Sequence, residues 1–126
     1  MGLGRLLLID KSAFERATPA TFELGEICVC AVIRLELLYS ARSARDYASI
    51  EEALAAFRDL HMDAETILTA VTAHRELGSQ GRHRVPIPDL LIAACAHQYQ
   101  AAVLHVDRHY DVLADVLAFE PVRLST

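Results

Sequence analysis

Arg5-Leu6-Leu7-Leu8-Ile9-Asp10 is an uninterrupted apolar run held between two charged residues. Continuous rather than alternating hydrophobicity at that length predicts a short strand buried on both faces, as in a parallel sheet. Residues 101–106 (AAVLHV) form another such run, and it too stops at an aspartate, Asp107. Between the two, the chain alternates. Residues 27–32 predict a second strand that passes into a helix carrying Arg34, Glu36 and Tyr39. Residues 46–60 predict a helix, with Ile50, Leu54, Phe57 and Leu60 at three- and four-residue spacing. His61-Met62-Asp63 predicts at most a very short strand. Asp63 is placed to cap a helix over residues 64–77, which Gly78 ends. After a loop over residues 81–88 come an apolar helix over 89–98, the strand over 101–106, a helix over 110–117 and a strand over 121–124. Near the start, Ser12 with Glu15 matches a capping box, and Thr18-Pro19 breaks the short helix it would begin. Strands and helices alternating in this way predict an α/β fold, a parallel sheet covered on both faces. No internal repeat or linker interrupts it, so one domain over residues 1–126 is expected.

Composition narrows the class. A hydrophobic content of 53% with only four prolines excludes a disordered chain. No apolar stretch reaches the ~18 residues of a membrane span, and no cationic leader opens the sequence, so a cytoplasmic protein with no membrane partner is expected. Cys28, Cys30 and Cys95 are odd in number and lie inside apolar segments, as buried reduced thiols do. The net charge of −5 means that a polyanion must be drawn by a local patch or a bound cation.

Four carboxylates stand in or beside apolar segments: Asp10, Glu36, Asp89 and Asp107. An ionised carboxylate beside a core is costly unless it is paired or binds a cation. No set of Lys or Arg residues is spaced to pair with all four, whereas a shared divalent metal would satisfy them. Asp10 and Asp107 close predicted strands, Asp89 opens a helix, and Glu36 lies early in the helix after the second strand. In open parallel sheets that rim is where ligands sit.

The segments Leu8-Ile9-Asp10-Lys11-Ser12-Ala13, Arg34-Leu35-Glu36-Leu37-Leu38, Ile87-Pro88-Asp89-Leu90-Leu91-Ile92-Ala93-Ala94 and His105-Val106-Asp107-Arg108-His109-Tyr110-Asp111 resemble PIN-domain ribonucleases, and among them the VapC toxins of bacterial toxin–antitoxin pairs. The resemblance spans nearly the whole chain, with its motifs in order. It implies a three-layer α/β/α domain with a five-stranded parallel sheet, which supports a strand near His61. It further implies Mg²⁺- or Mn²⁺-dependent endonucleolytic cleavage of RNA, a cognate small antitoxin protein as partner, and a homodimer able to enter a larger toxin–antitoxin assembly. Asp10, Glu36, Asp89 and Asp107 fall on the family's acidic site, Asp111 on a less regular additional acid, and Ser12 on the hydroxyl position supporting the first aspartate. Lys11 stands where Thr is common, and His105 where Thr or Ser is frequent; neither removes a metal ligand.

Arg82, His83, Arg84 and Arg108 are candidate phosphate contacts, as is the Lys11 amine. No aromatic-and-basic platform marks an RNA preference. Structural alternatives stand beside each assignment. Asp10 and Asp107 suit the capping of a following turn, Asp89 an ordinary first-turn charge, Glu36 a partner for Arg34, Ser12 a cap, and the arginines a solvated loop. His105 and His109 share four-residue spacing, but one lies in a strand, which argues against a helical zinc pair. At the level of function the alternative is a catalytically inactive PIN-like module that binds RNA or protein. A phosphoacceptor receiver domain also clusters acids in a small α/β fold, but it needs a lysine at its last strand, and Lys11 is the sole lysine.

Overall fold

The computed structural model describes residues 4–124. Five parallel strands form one sheet in the order β3-β2-β1-β4-β5. They are β1 Leu6–Ile9, β2 Glu26–Val29, β3 Arg58–Asp59, β4 Ala102–His105 and β5 Glu120–Arg123. The helices are α1 Lys11–Phe14, α2 Ala31–Tyr39, α3 Ala44–Leu54, α4 Ala64–Ser79, α5 Ile87–Tyr99 and α6 His109–Leu113, with a 3₁₀ turn at Pro19–Glu23. Helices cover the sheet in a three-layer α/β/α arrangement.

The uninterrupted apolar runs take the central places. Leu7, Leu8, Ile9, Val103 and Leu104 have no exposed surface, and β1 lies between β2 and β4. The outer strands are short or polar. β3 has two exposed residues, and β5 carries Pro121, whose missing N–H a sheet tolerates only at an edge. The chain runs outward from β1 to β3, then returns to lay β4 on the other side of β1. Strand order therefore reverses between β1 and β4, and the two residues at that crevice are Asp10 and Asp107.

Several sequence expectations shift. The short strand lies at Arg58–Asp59 rather than at residues 61–63, because α3 stops at Leu54. Phe57, which fits the helical spacing, instead packs edge-on against Phe14 and stacks on Phe22. The second strand ends at Val29, and Cys30 is already the N-cap of α2. Asp10, not Ser12, caps α1. Gly78 lies inside α4, and the turn that ends this helix uses Gly81 at φ +70°, with Arg82 N–H donating to Leu77 O at 2.8 Å. Asp63 does cap α4, its Oδ1 accepting from the N–H groups of Glu65 and Thr66 at 3.0 and 3.2 Å. Among the described residues no helix is long and apolar enough to cross a membrane.

Candidate metal centre

Asp10 and Asp89 are both almost wholly buried, at 5% and 8% exposure, although they arise from different elements. Asp10 leaves the end of β1 and is fixed at both oxygens. Its Oδ2 accepts from Ser12 Oγ at 2.6 Å and from Ser12 N–H at 3.2 Å, while its Oδ1 accepts from Tyr110 Oη at 2.8 Å. Ser12 in turn accepts the Val106 N–H at 3.3 Å, which ties α1 to the end of β4. Pro88 stands in the first turn of α5 and Asp89 follows it, so the apolar body of that helix anchors an acid at its mouth.

Asp107 lies two residues beyond β4. Its Oδ1 accepts the His109 N–H at 3.0 Å, and its own N–H donates to His105 Nδ1 at 3.1 Å. His105 is itself buried, tilted against the Tyr110 ring with centroids 5.0 Å apart, and burial pushes its pKa down. The neutral ring thus accepts at Nδ1 and braces the turn that presents Asp107. The His109 ring follows the same turn inward. Its Nδ1 is 2.7 Å from Asp107 Oδ1 and 3.3 Å from Asp89 Oδ2, ion-pair distances without the alignment of a hydrogen bond. Ligand atoms of Asp89, Asp107 and His109 all lie within 4.8 Å of one another.

The electrostatics follow from this crowding. Burial pushes the Asp89 carboxyl up to about 7, Asp10 and Asp107 add to the rise, and His109 opposes it. The N-terminus of α5 favours a charged Asp89, but two neighbouring carboxylates and the loss of water outweigh it. Glu36, on α2, is raised as well, first by burial and then by Asp10, with Lys11 pulling the other way. Its Oε1 is buried and has no hydrogen-bond partner among the described residues. Arg34, a candidate partner for it, instead donates to Asp59 at 3.0 Å. Among the described residues no lysine or arginine pairs with any of the four acids.

Of the four expected acids, Asp89 and Asp107 lie within ligand distance of a common point together with His109, Asp10 joins Asp89 through the Tyr110 hydroxyl, Glu36 acts on Asp10 and Asp89 through its charge, and other candidates stand apart. Asp111 is exposed on α6, and its carboxylate has no hydrogen bond or ion pair among the described residues. The Arg82 guanidinium is occupied by Asp115 at 2.9 Å and by Gln80. His83, Arg84 and Arg108 are exposed, and Lys11 lines a groove with Glu36. Sequence reading missed Tyr110 and His109. The spacing after Asp107 gives no sign that a turn folds both back over Asp10 and Asp89, although a buried tyrosine usually finds a partner for its hydroxyl.

Hard oxygen donors, a carboxyl raised by burial and by neighbouring carboxylates, and an orphaned Glu36 oxygen suit a divalent cation. Comparison with known proteins gives the chain's family. The PIN domain family model matches residues 6–116. The chain is 38% identical to ribonuclease VapC17 of Mycobacterium tuberculosis over 94% of this chain and 95% of that one. It is also 38% identical to ribonuclease VapC18 of the same organism, over 86% and 87% of the two chains. Among solved structures, a VapBC-5 chain from M. tuberculosis superposes with a TM-score of 0.77 at 22% identity, covering 95% of this chain and 99% of that one. A chain of DNA-bound VapBC from Salmonella typhimurium superposes at 0.73 and 19% identity, covering 94% and 98%. The chain belongs to the PIN domain family and, within it, to the VapC ribonucleases.

Proposed function

We propose that this protein is the toxin of a type II toxin–antitoxin pair, a single-domain endoribonuclease of the cytoplasm that hydrolyses RNA phosphodiester bonds at a site loaded with Mg²⁺ or Mn²⁺. The observation that carries the reading is the closeness of Asp89 and Asp107 at the sheet's switch point, with Asp10 linked to Asp89 through the Tyr110 hydroxyl and Glu36 within reach of their charge, and no lysine or arginine among the described residues paired with any of the four. Asp10 and Asp107 are assigned as direct ligands, Asp89 and Glu36 as direct or water-mediated ones, and Asp111 as an outer acid. The bound metal would polarise the phosphoryl oxygen and activate water.

The chain's own residues prepare that site. Ser12 and Tyr110 hold the Asp10 carboxylate in one orientation. With its carboxyl raised to about 7, Asp89 would be roughly half protonated at neutral pH in the metal-free protein, which limits self-repulsion until a cation takes the proton's place. Arg84, Arg108 and Lys11, which make no ion pair among the described residues, would meet RNA phosphates, with Arg82 less available because of Asp115. Beside Glu36 a groove of about 540 Å³ is lined by Val32, Leu35, Tyr39, Ile87 and Leu91. Exposed apolar side chains there suit an amphipathic segment of the antitoxin, and a homodimer would bury the remaining apolar surface of α4 around Leu68.

The deciding experiment incubates purified, antitoxin-free protein with cellular RNA in Mg²⁺, Mn²⁺ or EDTA. Wild type should cut only with metal, and Asp10→Asn should fold and not cut. Cleavage that survives in EDTA or in Asp10→Asn overturns the assignment.

A further inference from the structure

His109 is where the geometry departs most from a site made of carboxylates alone. We propose that His109 Nδ1 is a direct ligand of the metal beside Asp89 and Asp107, and that this nitrogen turns the site toward Mn²⁺ and away from Mg²⁺. The inference rests on the metal-site reading above and adds a residue to it.

Three observations support it. First, Nδ1 is 2.7 Å from Asp107 Oδ1 and 3.3 Å from Asp89 Oδ2. Neighbouring donors on one octahedral ion, each about 2.1 Å from it, lie roughly 3 Å apart, so these separations bracket those of a shared ion. Second, Nδ1 is buried and lacks an aligned hydrogen bond, although 39% of the ring side chain remains exposed. The buried edge of the imidazole is the edge that faces the acids. Third, the backbone aims it. The His109 N–H donates to Asp107 Oδ1 at 3.0 Å, closing the turn from which the ring projects over both acids.

Binding through Nδ1 leaves the ring proton on Nε2, so the ligand is neutral imidazole. The consequence for metal choice follows from ligand softness. Mg²⁺ prefers oxygen donors in a near-ideal octahedron, whereas imidazole nitrogen is accepted by transition ions. An aspartate–aspartate–histidine set therefore separates two ions that carboxylates alone barely distinguish.

The test uses the full chain freed of metal by chelation, with Mn²⁺ alone as the probe. Pulsed electron paramagnetic resonance of the Mn²⁺ complex should show coupling to ¹⁴N in wild type and none in His109→Gln. Calorimetric titration of that variant should show Mn²⁺ affinity reduced by at least about tenfold, the scale on which even outer-shell partners act, with Mg²⁺ affinity unchanged. Circular dichroism establishes that the variant is folded, and the wild-type spectrum bears on the proposal even if it is not. Mn²⁺ bound without nitrogen coupling, yet lost in Asp107→Asn, would leave the acidic site standing and overturn the ligand role of His109. Coupling that persists in His109→Gln overturns it too. Failure of wild type to bind Mn²⁺ at all would overturn both this inference and the metal-site reading.

Discussion

Tyr110 donates its buried hydroxyl to Asp10 Oδ1 at 2.8 Å, joining the acid at the end of β1 to the helix that follows β4. The same oxygen is 3.4 Å from Asp89 Oδ1, so one phenol stands between carboxylates of two separate elements. Burial drives the phenol pKa far up, and the two acids drive it further, so the hydroxyl remains a donor throughout the physiological range. With Ser12 on the other oxygen, Asp10 cannot rotate without breaking a bond at each end.

Replacing Tyr110 by Phe isolates that role. The ring contacts with His105 and Phe119 survive, and only the hydroxyl is lost. Stability should change by about 1 kcal/mol, the net worth of an ordinary hydrogen bond. Metal affinity should fall by roughly 10- to 100-fold, as when other supports of metal ligands are removed. Calorimetric titration beside thermal denaturation separates the two effects. A variant that binds metal like wild type would show the hydroxyl to be structural only.

Ser12 makes a similar case with a different sign of risk. Ser12→Ala removes a donor from Asp10 and also strips the Val106 N–H of its acceptor. A loss of roughly 1–2 kcal/mol in urea denaturation is expected, because the cost of leaving a polar group unsatisfied exceeds the gain from pairing it. Ser12→Thr keeps the hydroxyl and should recover most of that loss.

How much of this was legible follows from which signals are local. The runs at β1 and β4 announce buried strands because both faces of a central parallel strand are covered, and the acids that end them mark the crevice. The sequence hides β3 because Leu54, Phe57 and Leu60 satisfy a helical period; only pairing with β2 makes Arg58 and Asp59 a strand. That pairing also gives Arg34 its partner Asp59, leaving Glu36 without one, a fact no spacing rule contains. The contacts of His109 and Tyr110 depend on the turn after β4, where the backbone closes on its own acid. Sequence shows what must be neutralised; the fold decides which neighbours do it.

The apolar groove lined by Glu36 and Lys11 also presents Leu35, through which the proposed antitoxin contact is tested apart from the chemistry. Leu35 is 65% exposed on α2 and touches none of the acids by hydrogen bond or charge. Leu35→Ala should weaken a toxin–antitoxin complex by about 1–2 kcal/mol, or roughly 5- to 30-fold in Kd, if it is an anchor in that interface. Metal-dependent cleavage by the free protein should be unchanged. Surface plasmon resonance with the cognate antitoxin and an RNA cleavage assay measure the two separately. Equal affinity in wild type and variant would move the docking site elsewhere.

The acid cluster also sets the direction of pH dependence in metal-free protein. The Asp89 carboxyl is near 7 when folded, against about 3.9 in an unfolded chain. Between those values the folded state holds a proton that the unfolded state has released, so stability must fall as pH rises through the window. Below it both states are protonated, and above it both are ionised, so the profile is flat on either side. Glu36, shifted in the same direction, adds a smaller slope of the same sign. Asp89→Asn should therefore remove most of the decline and, at pH 8 in EDTA, should be more stable than wild type by roughly 1–3 kcal/mol. Added Mn²⁺ competes with the same proton, so its affinity should climb as pH approaches 7 and then level off. Urea denaturation at pH 4.5, 6 and 8 checks the first part, and titration at the same pH values checks the second. An identical decline in wild type and Asp89→Asn would place the proton on another group and detach Asp89 from the centre of the cluster.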